Sequence, residues 1–185
     1  VRNTAAAYFR SMEVAMNKTT RNIVTAAVIG ALYAVLTMVL APISYGPVQC
    51  RISEVLCILP FFMPSTTWGL FFGCAIANIA SSAGLPDIIF GSLATLIACL
   101  CISWCGKHNK KALACLMPVI WNGLIVGAML TVVVAGLNPI KNFGAFAVFA
   151  GEVALGEAAV MFIAGLPLLS WLPKQKFFTD YIDKA

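Results

Sequence analysis

Four carboxylates, one arginine and three uncharged polar side chains stand out because the chain around them is apolar. Glu54 lies three residues after Arg51, Asp87 follows Pro86, Glu152 follows Gly151, and Glu157 follows Gly156. Asn78 and the adjacent pair Trp121 and Asn122 are the uncharged ones. An ionised carboxylate only accepts hydrogen bonds, so it suits the paired N–H groups of a planar heterocycle or a cationic amine. Asparagine can donate and accept at the edge of such a ring, and tryptophan can stack on its face. Each group also has a plainer use. Proline followed by aspartate is a common helix start that suits the dipole. Arg51 and Glu54 are spaced for an ion pair within one helical turn. Asn78 and Asn122 can tie helices together, and a tryptophan can anchor at an interface. Glu152 and Glu157 are five positions apart, about 140° around a helix, so both cannot fully face one ligand.

The chemistry these residues offer is recognition rather than catalysis. The single histidine, His108, stands in a lysine-rich stretch, and no C-x-x-C occurs among the seven cysteines. Zinc ligation is not expected. Nearly all the cysteines lie in apolar runs and read as small, soft packing residues. No G-x-x-x-x-G-K-[ST] is present, so this chain is not expected to hydrolyse ATP or to carry a cofactor of its own.

The elements that position these residues must be membrane helices. Of the residues 61% are apolar and only 10% charged, and the mean hydropathy is +0.94. A soluble domain is about half apolar and a quarter charged, so the excess calls for lipid as the solvent. With about 20 residues per span, 185 residues hold about six spans in one bundle, with no room for a soluble ATPase domain. The expected spans are 22–41, 52–63, 67–82, 86–105, 112–135 and 143–171. The second is short and contains Pro60. Residues 1–16 read as a tag remnant or cytoplasmic lead-in, 17–173 as the membrane domain, and 174–185 as a cytoplasmic tail.

The net charge of +5 is scattered at span ends, which argues against nucleic acid and for a topology signal. Lys18 and Arg21 precede the first span, Lys107, Lys110 and Lys111 separate the fourth and fifth, and Lys174, Lys176 and Lys184 follow the sixth. Six spans put all of these on the cytoplasmic side with both termini, and leave only Arg51 and Lys141 outside. Glu54 and Asp87 then open spans that enter from outside. Glu152 lies about 14 Å into another. A carboxylate at mid-membrane costs roughly 2.5–3.5 kcal/mol, so a polar cavity open to the outside is expected. Ala27, Gly30, Ala31 and Ala34 share one face of the first span, where small residues let another helix approach closely.

The stretch Tyr45-Gly46-Pro47-Val48-Gln49-Cys50-Arg51-Ile52-Ser53-Glu54 carries a G-x-x-Q-x-R-x-S-E pattern at the mouth of the second span. It resembles the QueT family, the queuosine-precursor substrate-binding (S) components of energy-coupling factor importers. The stretches 73–78 and 87–96 and the pair Gly151-Glu152 follow in that family's order. The resemblance covers roughly residues 17–173. It implies a six-helix membrane subunit that binds one substrate near the outer face, beneath the loop from Pro42 to Cys50. The implied substrate is a 7-deazaguanine base, such as 7-aminomethyl-7-deazaguanine or queuine. Glu54 and Glu152 would take its N–H pair and cationic arm, and Gln49, Arg51 and Asn78 its carbonyl and ring nitrogens. Implied partners are a membrane scaffold subunit, docked on Ala27 and Ala31, and two cytoplasmic ATPases that hydrolyse ATP. The other readings are an S-component for a different vitamin, a lipid-modifying membrane enzyme, and a membrane assembly protein.

Overall fold

The computed structural model of the chain describes residues 17–44 and 50–183. The lead-in 1–16, the loop residues 45–49 with Gln49, and 184–185 lie outside the described residues. Everything described is helix, turn or irregular, with no strand among the described residues. The first helix, α1, runs Lys18–Val39 and starts four residues earlier than expected, because the Asn17 side chain caps it by accepting from the Thr19 N–H at 3.3 Å. A single turn, Ala41–Ser44, follows. Helix α2 is Ile52–Phe61, α3 is Thr66–Asn78, α4 is Asp87–Lys107, α5 is Lys111–Val133 and α6 is Phe143–Lys174. A short helix α7, Lys176–Asp183, closes the described chain.

Among the described residues four helices are long and apolar enough to cross a membrane: α1, α4, α5 and α6. The shorter α2 and α3 are packed among them. The second expected span is unusual in its geometry. It is a 3-10 helix of 10 residues, which at its steeper rise covers about 20 Å where an α-helix would cover about 15 Å. It is also the hub of the bundle, touching α1, α3, α4, α5 and α6. Both α4 and α6 contain a π-helical turn, at Asp87–Gly91 and Met161–Gly165, which turns the side chains of the next stretch onto a different face.

The distribution of residue types is the reverse of a soluble protein. Val28, Leu32, Val39, Phe72, Ile76, Leu100, Leu124 and Ile163 are exposed, whereas Arg51, Glu54, Asn78, Asp87, Asn122 and Glu157 are buried. Lipid accepts the former and rejects the latter. The main apolar core gathers around α2, with Leu70, Cys99, Ile102, Cys115, Met161 and Leu169 fully enclosed. A second, smaller core of Ala94, Val126, Met129, Leu130 and Val153 joins α4, α5 and α6. The helices α1 and α3 cross so closely that Gly30, Gly69 and Gly73 lie against backbone carbonyls of the facing helix.

The tail is structured as well. In α7, Phe178 packs edge-on against Phe62 with centroids 5.3 Å apart. Tyr181 lies 5.5 Å below the Arg21 guanidinium and shares a hydrogen bond with Thr25, tying the end of the chain to the start of α1.

Candidate functional site

Most of the polar side chains inside the bundle gather around the first turn of α2. Arg51 precedes that turn, and its Nη2 donates to Asp87 Oδ2 at 3.1 Å, an ion pair with both partners buried. Asp87 therefore does more than start α4. The π-helical turn that it opens brings its carboxylate inward, and Gly91 makes the space, since a Cβ there would sit 2.5 Å from Asp87 Oδ1 and 2.7 Å from Asn78 Nδ2. Asn78 closes the group from the end of α3, donating to the Asp87 carbonyl at 2.8 Å.

Glu54 sits one turn along α2 and is wholly enclosed. Its Oε1 accepts from the Tyr33 hydroxyl of α1, and its Oε2 from the Cys57 thiol at 3.0 Å. Above it, the Thr37 and Ser53 hydroxyls are joined at 2.6 Å, fixing α1 to the start of α2. Cys74 is a polar hub in α3, its sulfur accepting from Thr95 at 3.3 Å, from Asn78 at 3.5 Å and from Arg51 at 3.8 Å. Glu157, on α6, receives the Asn122 amide of α5 at 2.7 Å.

Six of the sequence candidates are thus buried in the bundle: Arg51, Asn78 and Asp87 are joined to one another, with Glu54 a turn away on α2, and Asn122 and Glu157 form a separate pair between α5 and α6. Trp121 is half-buried beside Asn122, and Glu152 is half-buried on another side of α6, without a hydrogen bond or ion pair among the described residues. The angular separation of Glu152 and Glu157 has this outcome, one carboxylate inside the bundle and the other at its edge. Gln49 lies outside the described residues. Tyr33, Cys57, Cys74 and Thr95 belong to the network although their types gave no warning. The one usable signal was Tyr33, a hydroxyl on the same stripe of α1 as Gly30 and Thr37.

Four buried acceptor atoms in this set have no donor among the described residues: Asn78 Oδ1, Asp87 Oδ1, Asn122 Oδ1 and Glu157 Oε2. Buried polar groups are ordinarily satisfied, so these are atoms that require a partner from elsewhere. On the outside of the bundle, Ala27 and Ala31 are exposed and line a groove of about 590 Å³ between α1 and α3, with Trp68, Phe72 and Ile76. Gly30 and Ala34 are turned inward and buried.

The comparisons with known proteins agree with the geometry in kind. A family model described as QueT transporter matches residues 23–174. The Queuosine precursor transporter QueT of Lactococcus lactis subsp. cremoris (strain MG1363) is 44% identical over 80 residues, which is 42% of this chain. The matched part spans 47% of that relative's length. No solved structure matches the chain.

Proposed function

The chain belongs to the QueT transporter family, and from that premise we propose that it is the substrate-specific subunit of an energy-coupling factor importer, binding a queuosine precursor outside the cell for ATP-driven uptake. It is a multi-pass protein of the bacterial plasma membrane, in keeping with its apolar helices. In the proposal all six helices α1 to α6 cross, α2 and α3 within the shelter of the other four, and both termini are cytoplasmic. Lys18 and Arg21 at the start of α1, Lys107, Lys110 and Lys111 at the junction of α4 and α5, and Lys174 and Lys176 at and just after the end of α6 support that orientation. It puts Arg51, Glu54, Asn78 and Asp87 toward the outer face.

The observation that carries the binding reading is the buried polar network with four acceptors lacking donors. A 7-deazaguanine base is rich in N–H donors and flat enough to slide between helices. It supplies what those atoms lack. The base enters from the outer face, near Arg51 at the start of α2. The loaded subunit then docks through the exposed Ala27 and Ala31 on a membrane scaffold subunit, and two cytoplasmic ATPases drive release inward. This chain catalyses no reaction and holds no cofactor.

Titration of the purified chain in detergent with 7-aminomethyl-7-deazaguanine, followed by tryptophan fluorescence, should give nanomolar binding, with guanine and riboflavin inert. No response to the deazaguanine would remove the substrate assignment, and a tight response to riboflavin would make the chain a carrier of a different vitamin. In cells that hold the complete importer, Ala31→Trp should keep binding and lose uptake. Uptake that survives would exclude the groove between α1 and α3 as the docking face.

A further inference from the structure

Far from Arg51, at the start of α1, a second arginine is buried. Arg21 stands in the first turn of a helix that crosses the membrane, two residues before the apolar run from Ile23, so it lies at the depth of the lipid headgroups. It is only 7% exposed, yet its Nε and Nη2 meet no acceptor among the described residues. Those two N–H groups share one edge of the guanidinium, the edge that can pair with two oxygens of an anion at once. What closes over the guanidinium is α7. The Tyr181 ring centre is 5.5 Å from its carbon, and the Tyr181 hydroxyl is hydrogen-bonded to Thr25, one turn along α1. A ring face attracts a cation but does not satisfy that edge, so the burial is compensated only in part. The cover is also lightly held. Its eight residues are too few to persist as a helix without packing, and Gln175, a single extended residue, joins it to α6. Phe178 on Phe62 and Tyr181 on α1 attach it, while Phe177 is 85% exposed. Trp171, Lys174 and Lys176 are exposed nearby, an aromatic and two cations of the kinds that meet a membrane surface.

We propose that Arg21 is the seat of the phosphate of an anionic phospholipid headgroup and that α7 is the cover which the lipid displaces. At the depth of Arg21 the anion in reach is a headgroup phosphate, whose two free oxygens match the open edge. Lys18 is exposed one turn earlier on α1 and adds a second cation on the same side. When Tyr181 lifts, Nε and Nη2 gain two charged acceptors in place of one ring face. The freed α7 then lies along the membrane surface, with Phe177 in the headgroup layer and Lys176 toward water. Nothing in this depends on the base bound at the other end of α1.

The test titrates the full chain in detergent with phosphatidylglycerol and follows the melting temperature. Diacylglycerol with the same acyl chains lacks the phosphate, and inorganic phosphate lacks the lipid. Phosphatidylglycerol should raise the melting temperature, and neither control should. Equal stabilisation by diacylglycerol overturns the phosphate seat, and stabilisation by inorganic phosphate alone overturns the lipid as its source. Those comparisons need no variant. Tyr181→Ala removes the cover and should lower the phosphatidylglycerol concentration for half the effect by about tenfold, the scale of one desolvated cation–π contact and a gain that misfolding cannot imitate. An unchanged or weaker response in that variant overturns the cover. Arg21→Gln should abolish the response, and Arg21→Lys, which keeps the charge without the paired edge, should not restore it. A full response in either Arg21 variant places the lipid on other surface cations and overturns the inference.

Discussion

The crossing of α1 and α3 and the mouth of α2 are neighbours in the bundle, and they are built on opposite principles. At the crossing, Gly30, Gly69 and Gly73 remove side chains so that backbone meets backbone. At the mouth of α2, large polar side chains from α1, α2, α3 and α4 fill the same kind of interior, and some of their oxygens are left without donors. In lipid, close packing of small residues holds helices together without the hydrophobic effect. That stability lets the adjoining region keep groups that would otherwise unfold it. The tight crossing and the unsatisfied mouth share helix α1, where Gly30 serves the first and Tyr33, one turn on, serves the second.

The largest expected effect breaks the crossing. A Cβ on Gly69 would overlap the Ala26 carbonyl, and a backbone atom cannot swing aside as a side chain does. Gly69→Leu should therefore push α1 from α3 and cost about 3 kcal/mol or more, seen as a fall in melting temperature in detergent and in the yield of folded protein. Gly144 supplies the contrast, since nothing lies within 4 Å of its position. Gly144→Ala should leave stability unchanged or raise it by about 0.5–1 kcal/mol. If both substitutions had the same sign, the crossing would not be the anchor argued for it.

An effect of similar size sharpens the other side. Arg51→Met would leave the Asp87 carboxylate buried without its guanidinium, at a cost of about 3–5 kcal/mol. Adding Asp87→Asn should recover a good part of that loss, because the stranded charge is then gone. The melting temperatures of the wild type, two single variants and the double variant close the cycle. Additive losses would mean that the two charges are not coupled.

The crossing was more legible in the sequence than the mouth. Small residues at spacings of three and four announce a close helix approach, although the spacing alone did not say that Gly30 and Ala34 turn inward while Ala27 and Ala31 stay exposed. Hydropathy placed the long helices to within a few residues, because twenty apolar residues in a row have few alternatives. It could not show that Ile52–Phe61 winds as a 3-10 helix, since the same residues suit either winding and packing at the hub decides. Nor could it separate the partners of Arg51. Glu54 was three residues away and Asp87 thirty-six, and a π-helical turn that leaves no mark in composition decided for Asp87. The tail 174–185 looked merely polar, yet Phe178 and Tyr181, three residues apart on one helix face, pack on Phe62 and Arg21. The acids themselves were visible at once, because a carboxylate in an apolar run is conspicuous. Their donors were not, because Tyr33 and Cys57 are ordinary residues for a buried helix.

The smallest effect lies where the two regions meet. Tyr33→Phe keeps the ring that fills the interior beside α3 and removes only the hydroxyl that donates to Glu54. The carboxylate would keep the Cys57 thiol at 3.0 Å, a weaker donor, and would have one oxygen buried without a partner. Loss of one donor to a buried charged acceptor costs about 1–3 kcal/mol, less than stranding the charge itself. The melting temperature should fall accordingly while the helix content by circular dichroism stays the same. Cys57→Ala, which takes away the weaker donor, should cost less than Tyr33→Phe. The reverse order would mean that the thiol holds Glu54 in place and that α1 reaches the mouth of α2 only by packing.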